Sequence, residues 1–296
     1  MPAAASSSPR TLALAFPGQG GDWGAALGVL AAHDGHPLVQ ALAAHLGTAT
    51  WSDLDPLDTH HAQPVVYVAG LVAAAPVPPD EVAVVAGHSL GEITAAAWAG
   101  AIEPEAGLAL VAARAEVGRR AHGDRPSAMA AVMRVDADAV EWLRRRVLGA
   151  GRPGVLEVAV VNSAEQQVLT GDRHLVEAAV ALANDEGAVA RALPIDGAYH
   201  SPLLAPLVGE FRTHVARAVT SDPRVPVVAS TVAGPHRTGE ALVEVISRSL
   251  VLPVDWPAAV DAMVAAGAER AIDAGPGDTL VRLARFLPAL PTSAVG

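Results

Sequence analysis

Residues 82–98 read Val82-Ala83-Val84-Val85-Ala86-Gly87-His88-Ser89-Leu90-Gly91-Glu92-Ile93-Thr94-Ala95-Ala96-Ala97-Trp98. The first five residues are apolar and end at a glycine, the pattern of a short buried strand. The Ala-rich stretch after Glu92 is a helix by propensity. A strand and a helix joined by Gly-x-Ser-x-Gly form a nucleophile elbow. Its tight turn lifts the Ser89 hydroxyl out at the carboxyl end of the strand, and the small residues two before and two after it avoid clashes. The same turn points the amides that open the helix toward the place where an oxyanion forms. A bare Gly-x-Ser-x-Gly also arises by chance, so the elbow alone leaves Ser89 either catalytic or structural. The strand and helix around it favour a catalytic serine.

On the N-terminal side, residues 11–16 form an apolar run ended by Pro17-Gly18, which reads as a second buried strand. The loop leaving it, Pro17-Gly18-Gln19-Gly20-Gly21, lacks the Lys-Ser/Thr of a P-loop and the spacing of a dinucleotide site. Its glycines suit a close approach of backbone to a ligand. Helices are expected over 25–32, 37–46 and 62–75, the last after a cap at Thr59. His60 and His61 are neighbours and do not face one ligand, so they read as a solvated helix start rather than a metal pair.

On the C-terminal side a helix is expected over 106–121, opened by Glu103-Pro104-Glu105. It carries Arg119 and Arg120, read as solvated, and Arg114 among Leu108, Leu110, Val111 and Val117. An arginine so placed either lays its stem on apolar surface with its head in water, or serves a buried partner. Beyond the turn cluster 123–127, a strand over 128–135, a helix over 136–148, strands over 155–162 and 166–170, a helix over 174–186 and a strand over 188–195 follow. That β-α-β-β-α-β order is ferredoxin-like. Residues 126–195 are therefore expected to form a small inserted subdomain, with 1–125 and 196–296 as a large α/β domain. Arg144-Arg145-Arg146 reads as a solvated helix face, or as a docking patch for an acidic partner.

The chain returns through Asp196-Gly197-Ala198-Tyr199-His200-Ser201-Pro202, with Ser201 capping a helix over 203–219. A lone histidine is more often structural, but His200 lies on a loop between domains, where function concentrates. A strand over 226–230, helices over 240–250 and 257–266, a strand over 269–274 and a closing helix from Thr279 complete the alternation. A mostly parallel sheet covered on both faces is implied.

Composition sets the class. Of the 296 residues 51% are apolar, 17% charged and 3% aromatic, so the core is built from Ala, Val and Leu. A formal net charge of −11 argues against a general nucleic-acid binder, which must neutralise phosphates. The absence of cysteine excludes disulfides, thiolate metal sites and a Cys nucleophile, and fits the cytoplasm. Met1 to Pro9 is expected to be frayed and lacks a signal-peptide pattern. The longest apolar run, 65–75, is too short to span a bilayer, so a soluble, cytoplasmic protein without membrane contact is expected.

Several motifs then line up in order: Phe16-Pro17-Gly18-Gln19-Gly20, Ala62-Gln63-Pro64, Gly87 to Glu92, and Arg114 placed 25 residues after Ser89. Val161-Asn162-Ser163, Tyr199-His200-Ser201-Pro202, Pro253-Val254-Asp255-Trp256 and Gly275-Pro276-Gly277 continue the series. Over nearly the whole chain this set resembles the malonyl-CoA:acyl carrier protein transacylases and the acyltransferase domains of polyketide synthases. The resemblance implies an α/β-hydrolase-like core with a ferredoxin-like insert, in agreement with the elements read above. It implies Ser89 as nucleophile, His200 as general base, and the amides of Gln19 and Leu90 as an oxyanion hole. Arg114 would hold the free carboxylate of a malonyl group, supported by Gln63, with Asn162 a further substrate-side residue.

In this family a backbone carbonyl orients the histidine, and the matching position is Ser249, where relatives commonly carry Asn or Gln. Leu90 and Tyr199 follow the malonyl pattern rather than the Gln and Ser of methylmalonyl-type members, and a ring at Tyr199 would crowd a branched α-carbon. Gly197 stands where domains embedded in modular synthases have His, and matches free-standing enzymes that serve synthases lacking their own domain. Gly21-Asp22 departs from the common Ser-Gln and puts a carboxylate near the CoA or carrier entrance. The activity implied is ping-pong transfer of a malonyl group from CoA to the phosphopantetheine thiol of an acyl carrier protein, in polyketide or fatty acid biosynthesis. Neither a metal nor a bound cofactor is implied. Rival readings are a carrier-to-carrier transacylase or an acyl-carrier hydrolase, against which Arg114 counts. A serine esterase would want an Asp or Glu between the elbow and a late His. An inactive carrier-binding module would have no use for Ser89, His200 and Arg114 together.

Overall fold

The computed structural model describes residues 10–195 and 197–295, so Met1 to Pro9 lie outside the described residues. The chain begins β1 (Leu12–Phe16), α1 (Trp23–Ala32), α2 (Pro37–Leu46), α3 (Thr59–Ala74), β2 (Val82–Gly87), α4 (Gly91–Trp98) and α5 (Pro104–Asp124). It continues through β3 (Ser127–Met133), α6 (Ala137–Gly149), β4 (Leu156–Ser163), β5 (Gln166–Asp172), α7 (Arg173–Asp185) and β6 (Val189–Ala192). It closes with α8 (Val208–Ala218), β7 (Val227–Ala229), β8 (Pro235–His236), α9 (Gly239–Arg248), β9 (Val254–Asp255), α10 (Trp256–Ala265), β10 (Arg270–Asp273), α11 (Thr279–Ala284) and β11 (Thr292–Ala294).

Helical crossovers between short apolar strands dictate parallel pairing. The large sheet has the order β11-β10-β1-β2-β7-β8, parallel throughout except for β8, which folds back on β7 as a hairpin. Every residue of β1 is buried, as its unbroken apolar sequence requires for a strand covered on both faces. Next to it β2 ends at the elbow. A Cβ on Gly87 would sit 2.1 Å from the Glu92 amide nitrogen, and one on Gly91 2.1 Å from the Phe16 carbonyl oxygen. Only glycine fits at either position, because the turn folds tightly on itself and against the end of β1.

A second sheet has the order β6-β3-β5-β4-β9. Its first four strands pair antiparallel and come from residues 127–192. The fifth, β9, comes from far along the chain and pairs parallel to β4. On one face α6 and α7 close a separate apolar cluster that includes Val140, Leu143, Leu156, Leu169 and Leu175. Met129, Ala131, Val160 and Val168 belong instead to the main core.

Three local expectations are corrected. The cap of α3 is Asp58, whose carboxylate accepts from the His60 amide, and not Thr59. The helix expected over 203–219 is a 3-10 turn (Pro202–Leu207) followed by α8, because Pro206 has no amide to continue an α-helix. The strand expected over 188–195 stops at Ala192. Among the described residues no helix is long and apolar enough to cross a membrane.

Candidate active site

Ser89 and His200 are two of three non-glycine residues with positive φ among the described residues, at 54° and 58°. Such backbone costs about 1–3 kcal/mol and persists where the surroundings over-determine it. Ser89 Oγ lies 2.7 Å from His200 Nε2, and His200 Nδ1 donates to the Leu252 carbonyl at 2.9 Å. Sequence reasoning put that carbonyl at Ser249. The structure gives the hydrogen bond to Leu252, three residues on, with the Ser249 backbone a weaker second influence on the ring. The bond to Leu252 places the ring proton on Nδ1 and leaves Nε2 bare toward the serine. Burial first, and then the charge of Arg114, hold the His200 pKa down to about 3. The imidazole is therefore neutral, a base ready to accept a proton.

Arg114 leaves α5 toward the same point and is 2% exposed, which removes the alternative of a head in water. Its Nη1 donates to Gln63 Oε1 at 2.9 Å and its Nη2 to Ser89 Oγ at 3.3 Å. The Tyr199 ring lies 4.4 Å from its guanidinium carbon, and burial pushes its pKa down. Among the described residues no carboxylate forms a direct ion pair with it, although the charge of the buried Glu92 acts on it from a distance. Gln63 also donates to Gln19 Oε1 at 3.2 Å, so a run of hydrogen bonds links the Gln19 loop through Gln63 and Arg114 to Ser89. Tyr199 thus stacks on the arginine. A Cβ on Gly118 would meet the tyrosine hydroxyl at 2.2 Å, so the ring fits only because α5 is bare there.

Gln19 lines the same cavity as Ser89, Leu90 follows Ser89 in the chain, and among the described residues no backbone acceptor takes either amide hydrogen. Leu90 stands at the N-terminal end of α4, where the helix dipole adds to the donor. These groups open into a cavity of about 570 Å³ between the two sheets. Gln19, Ser89, Arg114, Asn162, Tyr199 and His200 line it. Leu90, Gln63, Gly197 and Ser249 do not; they stand behind the lining. Gly197 has φ 103°, a conformation that favours glycine, and a Cβ there would sit 3.2 Å from the Gly118 carbonyl oxygen.

Sequence reasoning missed three parts of the site. His88, inside the quoted elbow, lines the cavity and pairs through Nε2 with Asn162 Oδ1 at 2.8 Å, tying β4 to the turn. Met129, Ala131, Val160 and Val168 form an apolar wall opposite the serine. Ser230 accepts from the Ser89 amide at 3.1 Å. Asp22 proves to be the N-cap of α1, its carboxylate accepting from the Ala25 amide at 2.9 Å while it also borders the cavity.

Residues 56–285 match the family described as acyl transferase domain. The chain is an acyltransferase. It is 30% identical to the malonyl CoA-acyl carrier protein transacylase of Escherichia coli K12, over 96% of this chain and 95% of that protein. Over 60% of its length it is 34% identical to a phenolphthiocerol/phthiocerol polyketide synthase subunit of Mycobacterium tuberculosis, of which the match spans 9%. The acyltransferase superimposes on the solved malonyl CoA-acyl carrier protein transacylase of Coxiella burnetii with a TM-score of 0.84, at 26% identity over 98% and 95% of the two chains. It also superimposes, with a TM-score of 0.83 at 25% identity over 96% of each chain, on a malonyl-transacylase solved in complex with a type II polyketide synthase acyl-carrier protein.

Proposed function

We propose that this acyltransferase moves a malonyl group from CoA to the phosphopantetheine thiol of an acyl carrier protein through a malonyl-Ser89 intermediate. The observation that carries the reading is the buried Arg114 guanidinium, 3.3 Å from Ser89 Oγ and, among the described residues, in direct ion-pair contact with no carboxylate. In a malonyl thioester one methylene separates the carboxylate from the reacting carbonyl. A carboxylate held on Arg114 therefore brings that carbonyl to Ser89. Such a charge-assisted pair is worth roughly 1.5–3 kcal/mol. The names of the similar transacylases and the solved carrier complex support the same substrates.

In the first half-reaction Ser89 Oγ attacks the thioester carbon while its proton passes to His200 Nε2. The carbonyl oxygen becomes an oxyanion facing the Gln19 and Leu90 amides. Collapse expels the CoA sulfur, which takes the proton from His200 and leaves malonyl-Ser89. The carrier thiol then gives its proton to His200 and attacks the ester, and the reverse collapse frees Ser89. Substrate also tunes the base: the Arg114 charge depresses His200, so a carboxylate that neutralises it makes the imidazole more basic. Residues 126–195 form the smaller lobe in this reading, and its apolar wall favours transfer by keeping water from the acyl ester. We assign the enzyme to polyketide synthesis as a free-standing partner, a reading supported by Gly197 and by the divergent Gly21-Asp22 of the first loop.

Incubation with malonyl-, methylmalonyl- and acetyl-CoA, followed by intact-protein mass spectrometry, tests the reading. A malonyl adduct absent from Ser89→Ala is expected. No adduct, or one that survives Ser89→Ala, overturns it.

A further inference from the structure

Two buried polar side chains that the transfer steps do not use meet beneath Ser89. Glu92 is 1% exposed and Ser230 fully buried. A carboxylate out of water is costly unless hydrogen bonds hold it, and here they do. Ser89 N–H donates to Ser230 Oγ at 3.1 Å, and Ser230 Oγ donates onward to Glu92 Oε1 at 2.9 Å. The amide and the hydroxyl of Thr231 both donate to the same Oε1 at 2.9 Å. The Glu92 amide in turn donates to the Ser89 carbonyl at 3.0 Å, which closes a ring around the turn.

Ser230 also reaches the other partner. Its carbonyl accepts from the Asp255 amide at 2.8 Å, three residues past the Leu252 carbonyl that holds His200. One residue thus touches the backbone on both sides of the Ser89–His200 contact. A hydroxyl that accepts and donates at once has a fixed rotor, and in a dry site the linked bonds reinforce one another. Ser89 and His200 both sit at positive φ and need such ties to stay there.

We propose that Ser230 and Glu92 are positioning residues, holding the Ser89 hydroxyl and the His200 imidazole at their 2.7 Å contact through the Ser89 and Asp255 amides. The inference rests on Ser89 being the acylated nucleophile. Neither residue lines the cavity, so both act on the rate of acylation and leave acyl-CoA binding alone.

Time-resolved mass spectra of adduct formation at varied malonyl-CoA read this directly. Ser89→Ala is the reference: an adduct there removes the nucleophile reading and this inference with it. With Ser89→Ala silent, Ser230→Ala is expected to lower the limiting acylation rate ten- to a hundredfold, with the half-saturating malonyl-CoA concentration within twofold. Glu92→Gln keeps Oε1 as an acceptor and is expected to slow acylation only three- to tenfold, again without a binding change. Circular-dichroism melts establish that each variant is folded. A folded Ser230→Ala protein with an unchanged limiting rate, or one slowed only through weaker malonyl-CoA binding, overturns the inference. Should Ser230→Ala not fold, an unchanged limiting rate in Glu92→Gln does so.

Discussion

The cavity wall that comes from the large sheet holds Ser89 and His200 in strained backbone, with Arg114 buried beside them and a run of hydrogen bonds behind. The wall from the second sheet presents Met129, Ala131, Val160 and Val168, and reaches across through the Asn162–His88 bond. The first is costly to build and intolerant of change, because Ser89, His200, Arg114 and Gln63 hold one another through a run of hydrogen bonds. The second is an ordinary packed surface whose shape can drift. The polar groups and the apolar lining of the cavity thus come largely from different stretches of one chain.

The sharpest way to break that division is to remove groups from the polar wall. Ser89→Ala and His200→Ala should each lower malonyl transfer about a thousandfold or more, measured as carrier loading with malonyl-CoA. A loss under tenfold in either would move the chemistry elsewhere. Next in size is Glu92. Burial raises its pKa to about 7, against hydrogen bonds from Thr231 and Ser230 and the charge of Arg114, which pull it down. The folded chain therefore binds a proton between pH 4.5 and 7 that the unfolded chain does not, so stability falls as pH rises through that window. The full effect is on the order of 3 kcal/mol. Melting temperatures of wild type and Glu92→Gln should converge or cross in favour of wild type as pH drops from 7 to 4.5. Parallel curves would show that Glu92 is not titrating there.

Arg114→Ala should cost malonyl loading ten- to a hundredfold and acetyl loading less than threefold, since only the first substrate carries a carboxylate. Equal losses would make Arg114 a structural part of the wall. Asn162→Ala, which frees His88, should slow loading three- to tenfold, about 1 kcal/mol for one buried hydrogen bond. Smallest of all, Met129→Ala should change malonyl loading less than threefold while improving branched acyl groups in competition assays. A large loss there would give the apolar wall a chemical role and end the contrast.

The same contrast explains what the sequence made legible. The elbow, the parallel sheet and the second sheet were readable because each depends on short runs of neighbouring residues. Ser89, His200 and Arg114, which the structure brings to one point, were singled out through motifs whose residue types such chemistry would demand. The Ser230–Glu92 bond was not readable, since it joins residues 138 apart and neither type is rare. The carbonyl behind His200 was placed at Ser249, whose backbone does act on the ring, while the hydrogen bond to Nδ1 goes to Leu252; choosing between them requires the path of the chain after α9. His88 was in view from the start, but its pairing with Asn162 crosses from one sheet to the other.

Two-residue β9 escapes any periodicity argument, yet it has a mechanical consequence. It stitches the region after Leu252 to the edge of the second sheet, at Val160 and Val161. A swing of that sheet away from the elbow would drag the Leu252 carbonyl and turn the imidazole out of line. The spacing of the two sheets and the seating of the base are thus tied together through one short strand.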